Sequence, residues 1–174
     1  MGHKVFQRSG ILLALLLCLT GCKPEWERYT NQEHKFSILL PASWEKQEGA
    51  FKTAVVALAP LKEKPPAFRA NVNVIVNELP QKVDLDAIFE LNKNELSGKL
   101  ATMDDLTEGD IYSGMMRGKW MSFVGLLRDF RVKITSAIWI KDKRTYTVTC
   151  ACRAEDARTY DPMFQKIIRS LRAK

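Results

Sequence analysis

The chain has 174 residues, a formal net charge of +7 and 46% hydrophobic residues. That length holds one domain with a proper buried core. Lysine and arginine are scattered, with no block long enough for a nucleic-acid-binding arm, and cysteine use is sparse, at four in the whole chain.

The first element is a leader. Lys4 and Arg8 precede an apolar run from Ile11 to Leu19, followed by Thr20, Gly21 and Cys22. Charge, greasy run and small residues in that order make a secretory signal peptide. The run is about half of the ~20 apolar residues a membrane span needs. Leu19-Thr20-Gly21-Cys22 resembles the lipobox of bacterial lipoproteins. The resemblance implies that the Cys22 thiol receives a diacylglycerol, that cleavage falls before it, and that the new amino group is acylated, commonly with palmitate. Two or three acyl chains hold durably where one holds marginally. Lys23 and not Asp follows the cysteine, and the resemblance then implies the periplasmic face of the outer membrane if the envelope has two membranes. Removing residues 1–21 from the 174 leaves 153, and losing Lys4 and Arg8 lowers +7 to +5. A modestly basic domain held at a membrane suits anionic lipid or polymer, or reflects solubility alone.

Residues 22–25 form a tether, and 26–174 the domain. Trp26–Thr30 is a short strand, Asn31–His34 a turn, and Lys35–Leu40 a strand ended by Pro41, with Trp44 closing over the core. Lys52–Ala59 is a strand. Pro60–Ala67, carrying Pro65-Pro66, is an exposed loop. Ala70–Asn77 alternates: Val72, Val74 and Val76 take one face, and Asn71, Asn73, Ile75 and Asn77 the other, which predicts a half-buried strand.

Asp84 is placed to cap a helix running to about Leu100, with Leu85, Ile88, Phe89, Leu96 and Leu100 on one side. Ala101–Glu108 reads as loop entering a strand near Thr107–Tyr112, and Ser113–Met116 as a turn. Lys119–Leu127 is apolar on both parities, the pattern of a central strand covered on both faces. Phe130–Ile140 alternates Phe130, Val132, Ile134, Ile138 and Ile140 against Arg131, Lys133, Thr135 and Trp139. The basic turn Lys141–Arg144 leads into Thr145–Arg153, making an antiparallel hairpin. The last helix opens at Asp161-Pro162, with a helical turn at Ala154–Tyr160 leading in, and buries Met163, Phe164, Ile167, Ile168 and Leu171.

Three patterns then stand together: Phe36-Ser37-Ile38-x-x-Pro41-x-x-Trp44, the strand Tyr146-Thr147-Val148-Thr149, and the helix Tyr160-x-Pro162-x-Phe164-x-x-Ile167-Ile168-x-Ser170-Leu171. They resemble the PsbP-like superfamily, which includes DcrB-type bacterial lipoproteins and a eukaryotic Ran-binding protein. The resemblance covers roughly residues 26–172. It implies an α+β fold, an antiparallel β-sheet packed with helices in a sandwich. It also implies non-enzymatic binding or assembly work with varied partners and no cofactor, and it brings no catalytic motif.

Chemistry-bearing residues are few. Cys150 and Cys152 are two apart on one strand face, with Cα atoms about 6.5–7 Å apart, at the limit for a disulfide. They read as small buried residues. His34 sits in a turn with no partner for nucleophilic catalysis. Asp104-Asp105 and Glu108-x-Asp110 lack the spacing of a calcium loop, and no metal site is expected. The candidate binding face is Arg131, Lys133, Thr135 and Trp139 together with Asn71, Asn73 and Asn77, on the condition that the two sets share a side of the sheet. The expected role is a lipid-anchored, non-enzymatic binding or scaffold module of the bacterial envelope with a protein partner and no nucleic acid. The alternatives are a peripheral binder of anionic lipid or cell-wall polymer, through Lys141, Lys143 and Arg144 beside Arg131 and Lys133, or an enzyme without a recognisable motif.

Overall fold

The computed structural model describes residues 25–61 and 68–174. The expected signal peptide, Cys22 and most of the Pro60–Ala67 loop lie outside the described residues.

Period-two alternation and tight turns build the centre. Strands β8 (Phe130–Lys141) and β9 (Arg144–Arg153) are joined by Asp142-Lys143, both at positive φ (48° and 58°). That left-handed pair gives a two-residue turn the twist of its flanking strands. Strand β7 (Met116–Leu127) pairs with β8 and with β6 (Met103–Ser113), and β5 (Asn71–Glu78) pairs with β9. With β3 (Glu45–Gln47) and β4 (Val55–Leu58) they form a seven-stranded sheet in the order β3-β4-β5-β9-β8-β7-β6, antiparallel throughout. A second sheet holds β1 (Trp26–Asn31), β2 (Phe36–Pro41) and β10 (Arg172–Ala173).

The large sheet has two coats. On one face, Val72, Val74, Trp139, Val148, Cys150 and Cys152 are buried with Phe36, Ile38 and Leu40 of β2 and with Phe164, Ile167, Ile168 and Leu171 of helix α2 (Ala157–Arg169) and its end. On the other, Met121, Phe123, Val132, Ile134 and Ile138 pack with Phe89 of helix α1 (Leu85–Ser97). The result is a single α+β domain, an antiparallel sheet sandwiched by helices and a small second sheet.

Most expected elements stand within a residue or two of their expected bounds. Asp84 caps α1, its carboxylate accepting from the Asp86 and Ala87 N–H groups at 3.0 and 3.2 Å. The Trp44 indole is buried and meets Tyr160 edge-on at 6.2 Å. Five expectations need correction. Helix α1 stops at Ser97 rather than Leu100, with Gly98 as its cap. The strand expected at Lys52–Ala59 begins only at Val55, because Phe51 and Lys52 are left-handed (φ 53° and 62°). Strand β6 starts at Met103, through a register slip between Asp104 and Thr107 with Asp105 at φ 55°, where a loop was expected. Such a bulge lets a strand carry an irregular, acidic sequence along a sheet edge. Strand β7 is next to that edge and not central, and Leu126 on its second face is exposed.

The fifth correction concerns α2. It opens at Ala157, and Pro162 lies inside it. Tyr160 stacks on Phe164 with ring centroids 5.7 Å apart and packs against Trp44. Burial of that ring holds the preceding turn helical even though Pro162 removes one backbone donor.

Candidate functional site

Helix α1 is short and sits over β7 and β8, leaving the same face of β4, β5 and β9 partly uncovered. The space between is a groove of about 440 Å³. It continues along α1 into a second depression of about 190 Å³, sharing Ile75, Asn92, Glu95 and Thr147. The volume of the groove falls in the range of small-molecule sites.

Register explains the floor. Asn71 lies opposite Ala151, Asn73 opposite Thr149 and Ile75 opposite Thr147, so the polar parity of β5 meets the polar parity of β9. Ser136 ties this floor to the helix: its hydroxyl accepts from Asn92 Nδ2 at 3.2 Å and meets the Thr149 hydroxyl at 3.1 Å. Asn71 Nδ2 donates to the Arg69 carbonyl at 3.0 Å. Among the described residues, the Asn73 amide and the Thr147 hydroxyl make no hydrogen bond and face the groove. Leu96 and Leu100 wall one side, and Phe51 stands on the rim, 87% exposed with left-handed φ. A phenylalanine in that conformation costs about 1–2 kcal/mol, and its ring lies in solvent with no core to repay it. Free amide and hydroxyl groups between apolar walls suit an extended, largely uncharged ligand such as a peptide segment.

The two halves of the candidate face are not brought together. Trp139 pairs with Tyr146, on the side facing α2, whereas Asn73 pairs with Thr149, on the side facing α1. Arg131, Lys133, Thr135 and Trp139 therefore occupy one face, and Asn71, Asn73 and Asn77 the opposite one. Trp139 is fully buried and its Nε1–H has no partner, while Thr135 is buried against the Ser122 hydroxyl at 2.9 Å. Only the asparagine half lines the groove. Nor is the basic turn beside Arg131 and Lys133. They stand at the other end of β8, roughly 33 Å away for Arg131 at ~3.3 Å per residue. Lys143 and Arg144 instead line a separate concavity with Lys35 and Lys174, while Lys141 Nζ donates to the Ala173 carbonyl.

The reactive side chains lie elsewhere. Cys150 and Cys152 are free thiols in the core. Burial pushes Cys150 well up and Cys152 to about 12, so neither is a thiolate near neutrality. His34 sits in the β1–β2 turn, where its backbone N–H donates to Asn31 Oδ1 at 2.8 Å. Glu108 pairs with Lys93 at 3.1 Å and Asp110 with Arg117 at 3.1 Å, so these two carboxylates of β6 face cations.

The sequence reading missed Thr147, Thr149, Asn92 and Phe51. The alternation of β9 carried a signal for the threonines: with Tyr146 and Val148 facing inward, Thr145, Thr147 and Thr149 share the asparagine side.

No protein-family model matches the chain, and no curated protein matches it in sequence. Solved structures do match in shape. The solution structure of the cyanobacterial PsbP (CyanoP) of Synechocystis superposes with a TM-score of 0.66 at 17% identity, covering 92% of this chain and 99% of that one. The fold is PsbP-like. LpqN of Mycobacterium tuberculosis, a protein involved in cell envelope biogenesis, gives 0.64 at 7% identity over 84% of this chain and 89% of its own. The Ran-binding protein Mog1p of Saccharomyces cerevisiae gives 0.59 at 11% identity over 87% and 96%. At these identities the likeness concerns the fold alone. A shared fold does not fix a function, so function must be argued from the site.

Proposed function

We propose that the protein is a lipid-anchored, non-enzymatic binding module of the bacterial envelope that holds an extended segment of a partner protein in the groove along α1. The observation that carries this is the groove itself: an apolar-walled trough whose floor offers the unpaired Asn73 amide and Thr147 hydroxyl. A peptide laid there satisfies its backbone groups on those side chains and buries alternate side chains against Leu96 and Leu100. The exposed, left-handed Phe51 adds an aromatic anchor at the rim, the residue type that dominates binding hot spots. The lipobox-like Leu19–Cys22 supplies the anchor, and the envelope and Ran-binding roles of two proteins of like fold agree with a binding function.

Two variants test the reading. Cys22→Ser should move the protein from the membrane fraction to the soluble one after a salt wash. Asn73→Arg places a long charged side chain in the groove and should abolish capture of the crosslinked partner without changing the melting temperature by more than a few degrees. Membrane retention of the Cys22→Ser form removes the anchor. Undiminished capture by the folded Asn73→Arg form removes the groove.

A further inference from the structure

At the end of the large sheet that carries the β8–β9 turn, three segments converge around a concavity of about 330 Å³. The β1–β2 turn brings Lys35, the β8–β9 turn brings Lys143, and the end of β10 brings Lys174. Backbone hydrogen bonds fix their spacing: the Lys174 N–H donates to the Lys35 carbonyl at 2.8 Å, and the Leu79 N–H to the Lys143 carbonyl at 2.7 Å. Lys141 Nζ donates to the Ala173 carbonyl at 3.0 Å, tying the turn to β10. Arg144 is held by Glu78 at 3.0 Å. The ammonium groups of Lys35, Lys143 and Lys174 have no partner among the described residues. Elsewhere Lys46, Lys93, Lys99 and Lys119 each meet a carboxylate.

The backbone adds a second observation. Lys35 (φ 53°) and Lys143 (φ 58°) are both left-handed, at turn positions that glycine fills without strain. Both are exposed, so core packing does not explain a lysine there. Tyr146 lines the same concavity and its side chain is hydrogen-bonded to Arg144. Burial raises its pKa against the opposing effect of Arg144. Three unpaired ammonium groups surround one fixed hollow that also carries the Asp142 carboxylate and a Glu78 already taken by Arg144, and this excess of cationic donors favours a multiply charged oxyanion.

We propose that this hollow is an anion site that takes a phosphate monoester or diester, either as a soluble ester or as a phospholipid headgroup. It is independent of the groove, which lies along α1 and shares none of these lysines. Strand β1 runs from Trp26 to the turn that carries Lys35, so the hollow lies about 17 Å along the strand from the start of the domain. It therefore lies at the end of β1 away from Trp26.

The test is a titration of the isotope-labelled full chain with glycerol phosphate and pyrophosphate, read by amide chemical shifts. In parallel, the chain is sedimented with phosphatidylglycerol vesicles against phosphatidylcholine vesicles. The expected result is saturable shifts at residues 35, 79, 143–146 and 174. Affinity should weaken about tenfold or more in the K35Q/K143Q/K174Q variant and tighten in Asp142→Asn, which removes a carboxylate from the rim. Binding of glycerol phosphate or pyrophosphate with that lysine dependence supports a soluble ligand. Lysine-dependent binding to phosphatidylglycerol vesicles alone supports a headgroup. Equal affinity in the wild type and the folded triple variant, or shifts centred on Arg131 and Lys133, overturns the site. The triple variant leaves the groove intact, so its partner capture should be unchanged and the two readings fail separately.

Discussion

Gly118 lies directly across from Trp139, and a Cβ built on it would fall 2.4 Å from the indole ring and 2.5 Å from the Ile138 carbonyl. Neither can give way, since Trp139 is fully buried. Gly118→Ala should therefore cost about 1–3 kcal/mol or more in denaturant unfolding, the range for overpacked cores. Phe51 makes the opposite case. Its left-handed φ costs energy while its ring stays exposed. Phe51→Gly should lose no thermal stability, and should weaken partner capture. The buried thiols and Tyr29 give a pH prediction. Burial raises Cys150 and Cys152, and burial followed by the hydrogen bond to Glu48 raises Tyr29 to about 12. A folded-state pKa above the unfolded value means stability that is full below the unfolded values of about 9–10 and is lost as pH rises towards 12. The wild-type melting temperature should fall steeply over that window, and a Cys150→Ala, Cys152→Ser double variant should fall less steeply. At this scale the cysteines were legible, because period two fixes their common side. Trp139 was not. It shares a parity with Arg131 and Lys133, and only the coat of α2 and β2 separates a buried middle of β8 from its exposed end.

At the scale of the element, local signals placed α1 and long-range packing placed α2. The Asp84 cap acts within its own turn, so the sequence alone showed it. Asp84→Ala should cost about 1 kcal/mol. The start of α2 depends on Tyr160 meeting Trp44 and Phe164, contacts that no local pattern reports. Asp161-Pro162 has the composition of a helix start, yet the burial of Tyr160 extends the helix past it. Tyr160→Ala should destabilise by about 3–5 kcal/mol, as large aromatic deletions do. Hydrogen exchange at residues 157–161 should then rise more than in the rest of α2. The bulge of β6 was equally hidden, since Asp104-Asp105 looks like a turn until its strand is paired with β7.

At the scale of the whole molecule, a two-coated sheet separates three surfaces. Trp26 stands at one end of β1, the lysine-rimmed hollow lies at the other, and the groove runs along α1 on the far face of the large sheet. The alternation of β5, β8 and β9 made the strands and their faces readable. Which face of one strand matches which face of the next depends on pairing order, and β5 lies beside β9, not beside β8. That single topological fact divides the two halves of the candidate face and brings Asn73 to Thr147 and Thr149. The central claim is that the groove holds the partner. It is tested most directly by a photocrosslinking amino acid placed in living cells at Asn73, Leu96 or Phe51, with Arg131 and Tyr112 as controls on other surfaces. The account predicts one shared crosslinked protein from the three groove positions and none of it from the controls. Crosslinks to that protein from Arg131 or Tyr112 with the groove positions silent would contradict it.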